Sequence, residues 1–248
     1  MSYAWNWGVL LQTTPDGATT YVNWLISGLG WTISVALSAW VLALALGTVL
    51  GVMRTVPNKW LSGIATAYVE IFRNIPLLVQ LFIWYFVVPE VLPFGIGDRV
   101  KQMDPTLNAF LTSFICLGLF TAARVCEQVR AGIDSLAKGQ KSAALAMGLT
   151  LWQAYKFVLL PMAFRIVIPP LGSEFMNIFK NSSVALTIGL LELTAQSRQI
   201  AEYTANTFEA FIAATVLYIG ITLTAVMVMR WLEQHFRVPG YISGGGGK

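Results

Sequence analysis

Long apolar runs separated by short polar segments are the main feature of this chain's hydrophobic pattern. A helix needs about 20 apolar residues to cross the hydrocarbon core of a bilayer, and no charged residue occurs between Gly17 and Met53. Runs of at least that length occupy residues 24–53, 61–88, 109–133, 163–191 and 208–231. We therefore expect an all-α integral membrane protein with five transmembrane helices.

Composition also indicates a chain that lies mostly in lipid. Hydrophobic residues make up 56% of the 248 residues and charged residues only 11%, and the mean hydropathy of +0.65 is higher than a soluble domain carries.

Residues 1–12 contain no Lys or Arg, so we expect no cleavable signal peptide. Cys116 and Cys126 are too far apart along one helix to form a disulfide and are expected to pack. The Gly-rich tail 239–248 is interpreted as a flexible linker outside the fold.

The distribution of Lys and Arg indicates the orientation, because cytoplasmic loops are enriched in these residues. One side of the five-span arrangement carries most of them, namely Arg54, Lys59, Arg124, Arg130, Lys138, Lys141, Lys156, Arg165, Arg230, Arg237 and Lys248. The other side carries Arg99, Lys101 and Arg198. We therefore expect the N-terminal segment 1–23 in the periplasm and the C-terminus in the cytoplasm of a bacterial inner membrane protein. The same distribution argues against nucleic acid as a partner, despite a net charge of +4.

Several polar residues fall inside the predicted spans, where a charge costs about 3 kcal/mol or more unless it is paired or faces water. Glu70 and Arg73 share one face of span 2 and can neutralise each other, while Pro76 frees a backbone carbonyl nearby. Span 4 carries a polar stripe near its middle. A substrate path or gate is one interpretation and a salt bridge that holds the helices is the other. The candidates are Glu70, Arg73, Asn74, Pro76, Gln80, Glu174, Asn177, Lys180, Asn181 and Ser182.

Two further groups of residues have structural interpretations. Arg124, Glu127 and Arg130 recur every three residues at the inner end of span 3, where we expect them to anchor the helix at the lipid headgroups. His235 has no Cys or His near it in the sequence, so no metal site is expected.

The segment 134–162 between spans 3 and 4 has the pattern of two short helices rather than of a slack loop. Its first half is rich in Ala and precedes Gly148, a residue suited to a helix C-terminus. Thr150 and Gln153 have the spacing of a capping box, which predicts a second helix. Pro161 is expected to end that helix. The prediction is a helix, a sharp glycine turn and a helix that lie against the inner leaflet.

This segment resembles the EAA loop of ABC importer permeases, whose pattern is Glu-Ala-Ala, three residues, Gly, nine residues, Ile-x-Leu-Pro. The spacing from Ser142 through Gly148 to Pro161 matches, with Ser142 in place of the Glu. In that family the loop forms coupling helices that dock on an ATPase subunit; an ordinary pair of surface helices is the alternative. The resemblance implies an ATPase-docking role for Gly139, Ser142, Ala143, Ala144, Leu145, Ala146, Met147, Gly148, Leu160 and Pro161.

A second stretch narrows the resemblance. Residues 68–82 are similar to the span-2 signature of the permeases for polar amino acids such as His, Arg, Gln and Glu. The Arg-Asn-Ile-Pro sequence at 73–76 resembles glutamate/aspartate permeases, as do the Trp-Asn-Trp-Gly sequence at 5–8 and residues 120–130. The resemblance covers nearly the whole chain, from Trp5 to Pro239.

The resemblance implies the type I ABC importer permease fold for residues 24–238 and import of polar amino acids, most closely glutamate and aspartate, by alternating access. No Gly-x4-Gly-Lys-Ser/Thr sequence occurs, so no cofactor is expected on this chain, and ATP with Mg²⁺ would bind to a separate subunit. The implied partners are a second permease, either a related chain or a copy of this one, two ATP-binding subunits, a periplasmic amino-acid-binding protein and the lipid bilayer.

Other functions fit the sequence less well. A permease of the same family for glutamine, histidine or arginine is the nearest alternative. A self-sufficient channel or carrier would carry its own ion site and usually a duplicated fold, and neither is evident in the sequence. A membrane enzyme would need a metal cluster, a nucleophile with its base or a paired acid and base, which are not evident either. Arg73 and Lys180 suit an anionic amino acid but equally suit a gate.

Overall fold

The computed structural model of the protein describes residues 3–136 and 138–236, which form helices joined by short connections. The predicted linker 239–248 lies outside the described residues. The α-helices are α1 (Tyr21–Thr55), α2 (Lys59–Asn74), α3 (Leu77–Phe82), α4 (Val88–Val91), α5 (Ile96–Lys101), α6 (Pro105–Asp134), α7 (Lys138–Ala146), α8 (Leu151–Ala154), α9 (Leu160–Asn181), α10 (Leu193–Thr204) and α11 (Thr207–Phe236). The 3-10 helices are Trp7–Leu11 and Ser182–Ile188, and the π-helical turns are Ile83–Val87 and Tyr155–Leu159. The all-α fold class is confirmed.

Four uninterrupted stretches of helix within the described residues are long and apolar enough to cross a membrane: Tyr21–Thr55, Pro105–Asp134, Leu151–Ile188 and Thr207–Phe236. The predicted second span, 61–88, is instead divided into two helical pieces, Lys59–Asn74 and Leu77–Val91, that meet at 104°. Pro76 lies at the break and cannot donate the backbone hydrogen bond that would continue α2. The count of five spans therefore holds when the bent pair is taken as one span.

The centre of the fold is the contact between α1 and α6. Gly47 and Gly51 on α1 face α6 so closely that a Cβ at Gly47 would lie 2.6 Å from Val125 Cβ. Small residues at such positions let two membrane helices approach through backbone contact. Cys116 and Cys126 on α6 are buried free thiols, in agreement with their predicted packing role.

Pro161 does not end the helix that precedes it, so that prediction is wrong. The chain runs from α8 through the π-helical turn Tyr155–Leu159 directly into α9, with Pro161 in the first turn of α9. A proline is tolerated there because the first N–H groups of a helical segment have no partner within that segment. The second half of the loop 134–162 is thus continuous with the helix that carries the predicted fourth span.

Candidate functional site

The turn between α7 and α8 has the geometry that the sequence predicts. Gly148 has a φ of +85°, which L side chains rarely adopt, and Leu149 N donates to Ala144 O at 3.2 Å across the turn. Thr150 and Gln153 form the capping box, because Thr150 N donates to Gln153 Oε1 at 2.8 Å and Gln153 N donates to Thr150 Oγ1 at 3.3 Å. Hydrogen bonds and the positive φ of Gly148 therefore fix the turn between the two helices.

The same loop presents apolar side chains that nothing in the described chain covers. Met147 is 74% exposed and Trp152 is 69% exposed, whereas Ala144 faces inward and is buried. Exposed apolar patches of this kind mark interaction surfaces. Of the remaining predicted docking residues, Gly139, Ser142, Ala143, Leu145, Ala146, Gly148 and Pro161 are exposed and Leu160 is half-buried.

The loop is fastened to the rest of the fold through Tyr155. The Tyr155 hydroxyl donates to the backbone oxygen of Thr55 at 2.8 Å, at the end of α1. The Lys141 Nζ on α7 lies 5.6 Å from the centre of the Tyr155 ring, a distance typical of a cation–π contact. The loop is therefore connected to α1 through Tyr155 and to α9 through the π-helical turn.

The broken span has its own internal cap. Gln80 on α3 is buried, and its Nε2 donates to the backbone oxygens of Phe72 at 2.9 Å and Ile75 at 2.8 Å. Phe72 is four residues before Pro76, so its oxygen is the acceptor that a proline leaves without a partner. The predicted path residue Gln80 thus maintains the break.

Glu127 on α6 joins α1 and the broken span. Its carboxylate contacts the Arg54 guanidinium at the end of α1 and lies 3.5 Å from Arg73 Nη1 on α2. Glu70 instead accepts a hydrogen bond from Asn74 Nδ2 at 3.0 Å. The predicted neutralisation of Arg73 by Glu70 is therefore wrong, because the partner of Arg73 lies on another helix.

Arg124, one turn before Glu127 on α6, forms an ion pair with a residue of α9. Its Nη1 lies 3.5 Å from Glu174 Oε2 on α9, and its guanidinium lies 5.0 Å from the centre of the Phe120 ring. Arg124 and Glu127 therefore hold neighbouring helices, whereas Arg130 Nε lies 3.4 Å from Asp134 Oδ2 on the same helix. Anchoring of these three residues at the headgroups stays a prediction. Through these two residues α6 connects the polar positions of α2 with those of α9.

The remaining candidates on α9 fall into two places. Lys180 is exposed and borders an open pocket of about 490 Å³ whose other polar lining residues are Ser183, Thr194, Thr215, Tyr218 and Thr222. Asn181 and Ser182 line a narrow cavity together with Leu77 and Leu81 of α3. Asn177 is half-buried between these positions. The end of α9 therefore meets the broken span.

Glu192 is a buried polar residue that the sequence analysis missed. It has no exposed surface, and its carboxylate accepts hydrogen bonds from Ala195 N at 2.8 Å, Thr194 N at 3.0 Å and the Tyr218 hydroxyl at 2.8 Å. The first two contacts cap α10 and the third fastens α11 to it. Its signal in the sequence is a single carboxylate between two apolar stretches, just before a helix.

The N-terminal segment is held against the start of α11. The Tyr3 hydroxyl donates to Glu209 Oε2 at 2.6 Å and Asn6 N donates to Glu209 Oε1 at 2.7 Å. The hydrogen bond to Glu209 raises the pKa of Tyr3 above its ordinary value. Trp5 and Trp7 stack in parallel with ring centres 5.7 Å apart. Stacked, partly exposed Trp rings at a helix start are typical of a membrane–water boundary.

Metal ligands are not brought together in the part of the chain that the structure describes. No group of three or more His, Cys, Asp or Glu side chains there could hold an ion. His235 stacks on Trp231 with ring centres 5.7 Å apart.

Comparison with known proteins places this arrangement in a family. Residues 43–238 match the family described as "Binding-protein-dependent transport system inner membrane component". The chain is 53% identical over 245 residues to the glutamate/aspartate import permease protein GltJ of Escherichia coli O6:H1 (strain CFT073), covering 98% of this chain and 100% of GltJ. It is 32% identical over 232 residues to the glutamate/aspartate import permease protein GltK of the same strain, covering 94% of this chain and 98% of GltK.

A solved structure of an ABC transporter is also similar to this chain. The crystal structure of an amino acid ABC transporter with histidines matches with a TM-score of 0.72 and 30% sequence identity, and the match covers 87% of this chain and 95% of the other. Together with the family match, this similarity extends from the apolar helices to the loop between α6 and α9. The chain therefore belongs to the inner-membrane permease components of ABC transport systems, and it is a transport subunit rather than an enzyme.

Proposed function

We propose that this chain is one permease half of an ATP-driven importer that moves glutamate and aspartate into the cytoplasm. The observation that supports this choice of substrate is the 53% identity to GltJ over 98% of the chain. Glutamine, histidine and arginine are the alternative substrates, and histidine has the support of the transporter solved with histidines, which is 30% identical to this chain. Arg73 and Lys180, both exposed, supply cations of the sign that an anionic amino acid requires.

The orientation follows from the basic residues. Lys141 and Lys156 lie in the loop 134–162, and Arg54 lies in the last turn of α1, which contacts this loop. All three are at the end of the bundle opposite the N-terminus of α1. Loops rich in Lys and Arg remain in the cytoplasm. The exposed patch around Met147 and Trp152 therefore faces the cytoplasm, as does the C-terminus, and residues 1–23 face the periplasm.

The patch around Met147 is the docking surface for an ATPase subunit. Its apolar residues lie in a loop that is hydrogen-bonded to α1 through Tyr155 and continuous with α9. Movement of the ATPase is therefore transmitted to two membrane helices. ATP and Mg²⁺ bind to that separate subunit, and this chain carries no cofactor of its own. Two such ATPases serve the two permease halves of the transporter.

The second permease half is a related chain rather than a copy of this one. A single Escherichia coli strain has both GltJ and GltK, both are glutamate/aspartate import permease proteins, and this chain is similar to each. Two different chains for one substrate are the expected components of a heterodimeric pore. A periplasmic binding protein completes the assembly and delivers the amino acid.

Alternating access explains the ion pairs that run through α6. The broken span and α9 carry the candidate path residues, and α6 holds both through Glu127 and Arg124. ATP binds one arrangement of these helices more tightly than the other. This difference in the affinity for ATP shifts the population between the two pore states. Substrate enters from the periplasmic side in one state and leaves to the cytoplasm in the other.

Reconstitution of the complete transporter tests this function. The transporter with its binding protein is placed in liposomes, and uptake of labelled glutamate is measured with unlabelled aspartate, glutamine, histidine or arginine as competitors. Strong competition by aspartate alone supports the proposal. Stronger competition by glutamine, histidine or arginine assigns the chain to another substrate of the family, and uptake by this chain without an ATPase would exclude the importer.

A further inference from the structure

The loop between α4 and α5 holds a phenylalanine in an unusual position. Phe94 is 94% exposed, the most exposed of the large apolar side chains in the described residues. It also has a φ of +60°, and Gly95 follows it at +71°. Burial of Phe94 in water-excluding surroundings would be favourable, and a β-region backbone would avoid the steric cost of a positive φ. The chain maintains both unfavourable features at one residue.

The loop is built firmly enough to keep Phe94 in place. Gly97 packs against Pro89 so closely that a Cβ at Gly97 would lie 1.8 Å from the Pro89 oxygen. Across the same contact, Lys101 Nζ on α5 lies 2.7 Å from Glu90 Oε2 on α4. Backbone strain persists where surrounding contacts determine the conformation, and it concentrates at functional positions.

The surroundings of Phe94 resemble the centre of a protein interface more than a lipid anchor. Charged side chains of both signs lie on the two flanking helices, where Glu90 and Asp98 are largely exposed and Lys101 is 41% exposed. A buried aromatic anchor within a polar, charged rim is the usual anatomy of a protein–protein contact. Exposed carboxylates on both flanking helices oppose insertion of this loop into a bilayer.

We propose that Phe94 is an anchor on which the amino-acid-loaded periplasmic binding protein docks. The inference rests on the proposed function, in which the loop between α4 and α5 faces the periplasm. The family description states that transport in this family depends on a binding protein, so a partner of this kind must contact the periplasmic face. Phe94 inserts into an apolar pocket of that partner, and the charged rim sets the orientation.

The test measures how the binding protein stimulates ATP hydrolysis. The complete transporter is reconstituted in nanodiscs, and ATPase activity is titrated with the glutamate-loaded binding protein of the same system. Truncation of an interface anchor costs about 2 kcal/mol, so Phe94→Ala should raise the half-maximal concentration about 30-fold with unchanged basal ATPase activity. Phe94→Tyr should stay close to wild type because it keeps the ring.

Two further variants separate docking from folding. Phe94→Gly removes the strain of a positive φ, so it should leave the melting temperature of the transporter equal or higher while it weakens docking as Phe94→Ala does. Phe86→Ala is the matched control, because Phe86 is an exposed Phe, 58% accessible, in the π-helical turn Ile83–Val87 that precedes α4. It should leave the half-maximal concentration unchanged.

The outcomes distinguish this inference from the proposed function. If no loaded binding protein stimulates the wild-type transporter, the proposed function fails and the docking role fails with it. If the wild type is stimulated but Phe94→Ala and Phe94→Gly have the wild-type half-maximal concentration, only the docking role is overturned. A fluorophore at Phe94→Cys that is quenched by nitroxide lipids and unaffected by the binding protein would assign Phe94 to the membrane instead.

Discussion

Gln80 donates a hydrogen bond to the backbone oxygen of Ile75 at 2.8 Å, across the proline that breaks the second span. The same side-chain nitrogen donates to Phe72 O at 2.9 Å. Backbone groups at membrane depth need a partner because the hydrocarbon core contains no water to supply one. The break at Pro76 is thus a stable part of the fold, maintained from inside by one amide group.

Replacement of Gln80 should destabilise the permease. Gln80→Met keeps the length of the side chain but leaves the oxygens of Phe72 and Ile75 without their donor, at a cost of about 1 to 3 kcal/mol. The melting temperature of the purified transporter should fall. Val79→Ala, at the exposed neighbouring position, is the control and should have little effect. Equal melting temperatures for the two variants would contradict the capping role.

The two ion pairs of Glu127 should differ in strength. The Arg54 side chain is 8% exposed and that of Arg73 is 53% exposed. Breaking a buried pair costs about 3 to 5 kcal/mol, whereas exposed pairs contribute about 0 to 1 kcal/mol. Double-mutant cycles on the unfolding free energy should therefore give a larger coupling for Arg54 with Glu127 than for Arg73 with Glu127. The reverse order would show that burial does not govern these pairs.

Arg73 should matter for transport more than for stability. Because its guanidinium is largely exposed beside the broken span, Arg73→Ala should leave the complex assembled while it abolishes amino acid uptake. Uptake into liposomes and co-purification of the ATPase measure the two properties separately. Arg198→Ala, which removes a cation paired with Glu202 on the exposed face of α10, is the control. Uptake at the wild-type rate in Arg73→Ala would remove Arg73 from the path.

Two neighbouring alanines in α7 should respond differently to a charge. Ala143 is exposed and Ala144 is buried against the fold. Ala143→Asp places a charge in the ATPase contact and should uncouple transport without unfolding the permease, and Gly148→Asp should do the same with added strain at its positive φ. Ala144→Asp buries an unpaired carboxylate and should lower the melting temperature. ATPase subunits that bind normally to Ala143→Asp and Gly148→Asp would contradict the docking surface.

Glu192 should be needed for the packing of α10. Glu192→Gln replaces one acceptor oxygen by a donor that opposes the N–H group of either Thr194 or Ala195, and it should cost about 1 to 3 kcal/mol. Glu202→Gln changes an exposed carboxylate on the same helix, paired only with Arg198, and should change stability by less than about 1 kcal/mol. The free energies of unfolding of the two variants are compared by chemical unfolding in the same detergent. Equal losses would exclude a capping role for Glu192.

Local chemistry made several features predictable. The glycine turn at 148 requires a positive φ, and the capping box at Thr150 needs only residues three apart, so both could be recognised from neighbouring residues alone. The proline at 161 was misjudged because a π-helical turn allows a proline to follow without ending the helix. That turn has no signal in the order of residues.

The all-helical membrane class, the apolar lengths of the spans and the glycine turn of the loop 134–162 could all be predicted from the order of residues, because they depend on residues that are neighbours along one helix. Helix packing sets the partners of the polar side chains: Arg73 with Glu127, Arg124 with Glu174, and Gln80 with the backbone at the break. An ion pair between helices depends on how those helices pack, and residues far apart in the chain carry no local mark of that contact. Glu70 and Arg73 share a helical face, yet a carboxylate on α6 lies closer to the arginine.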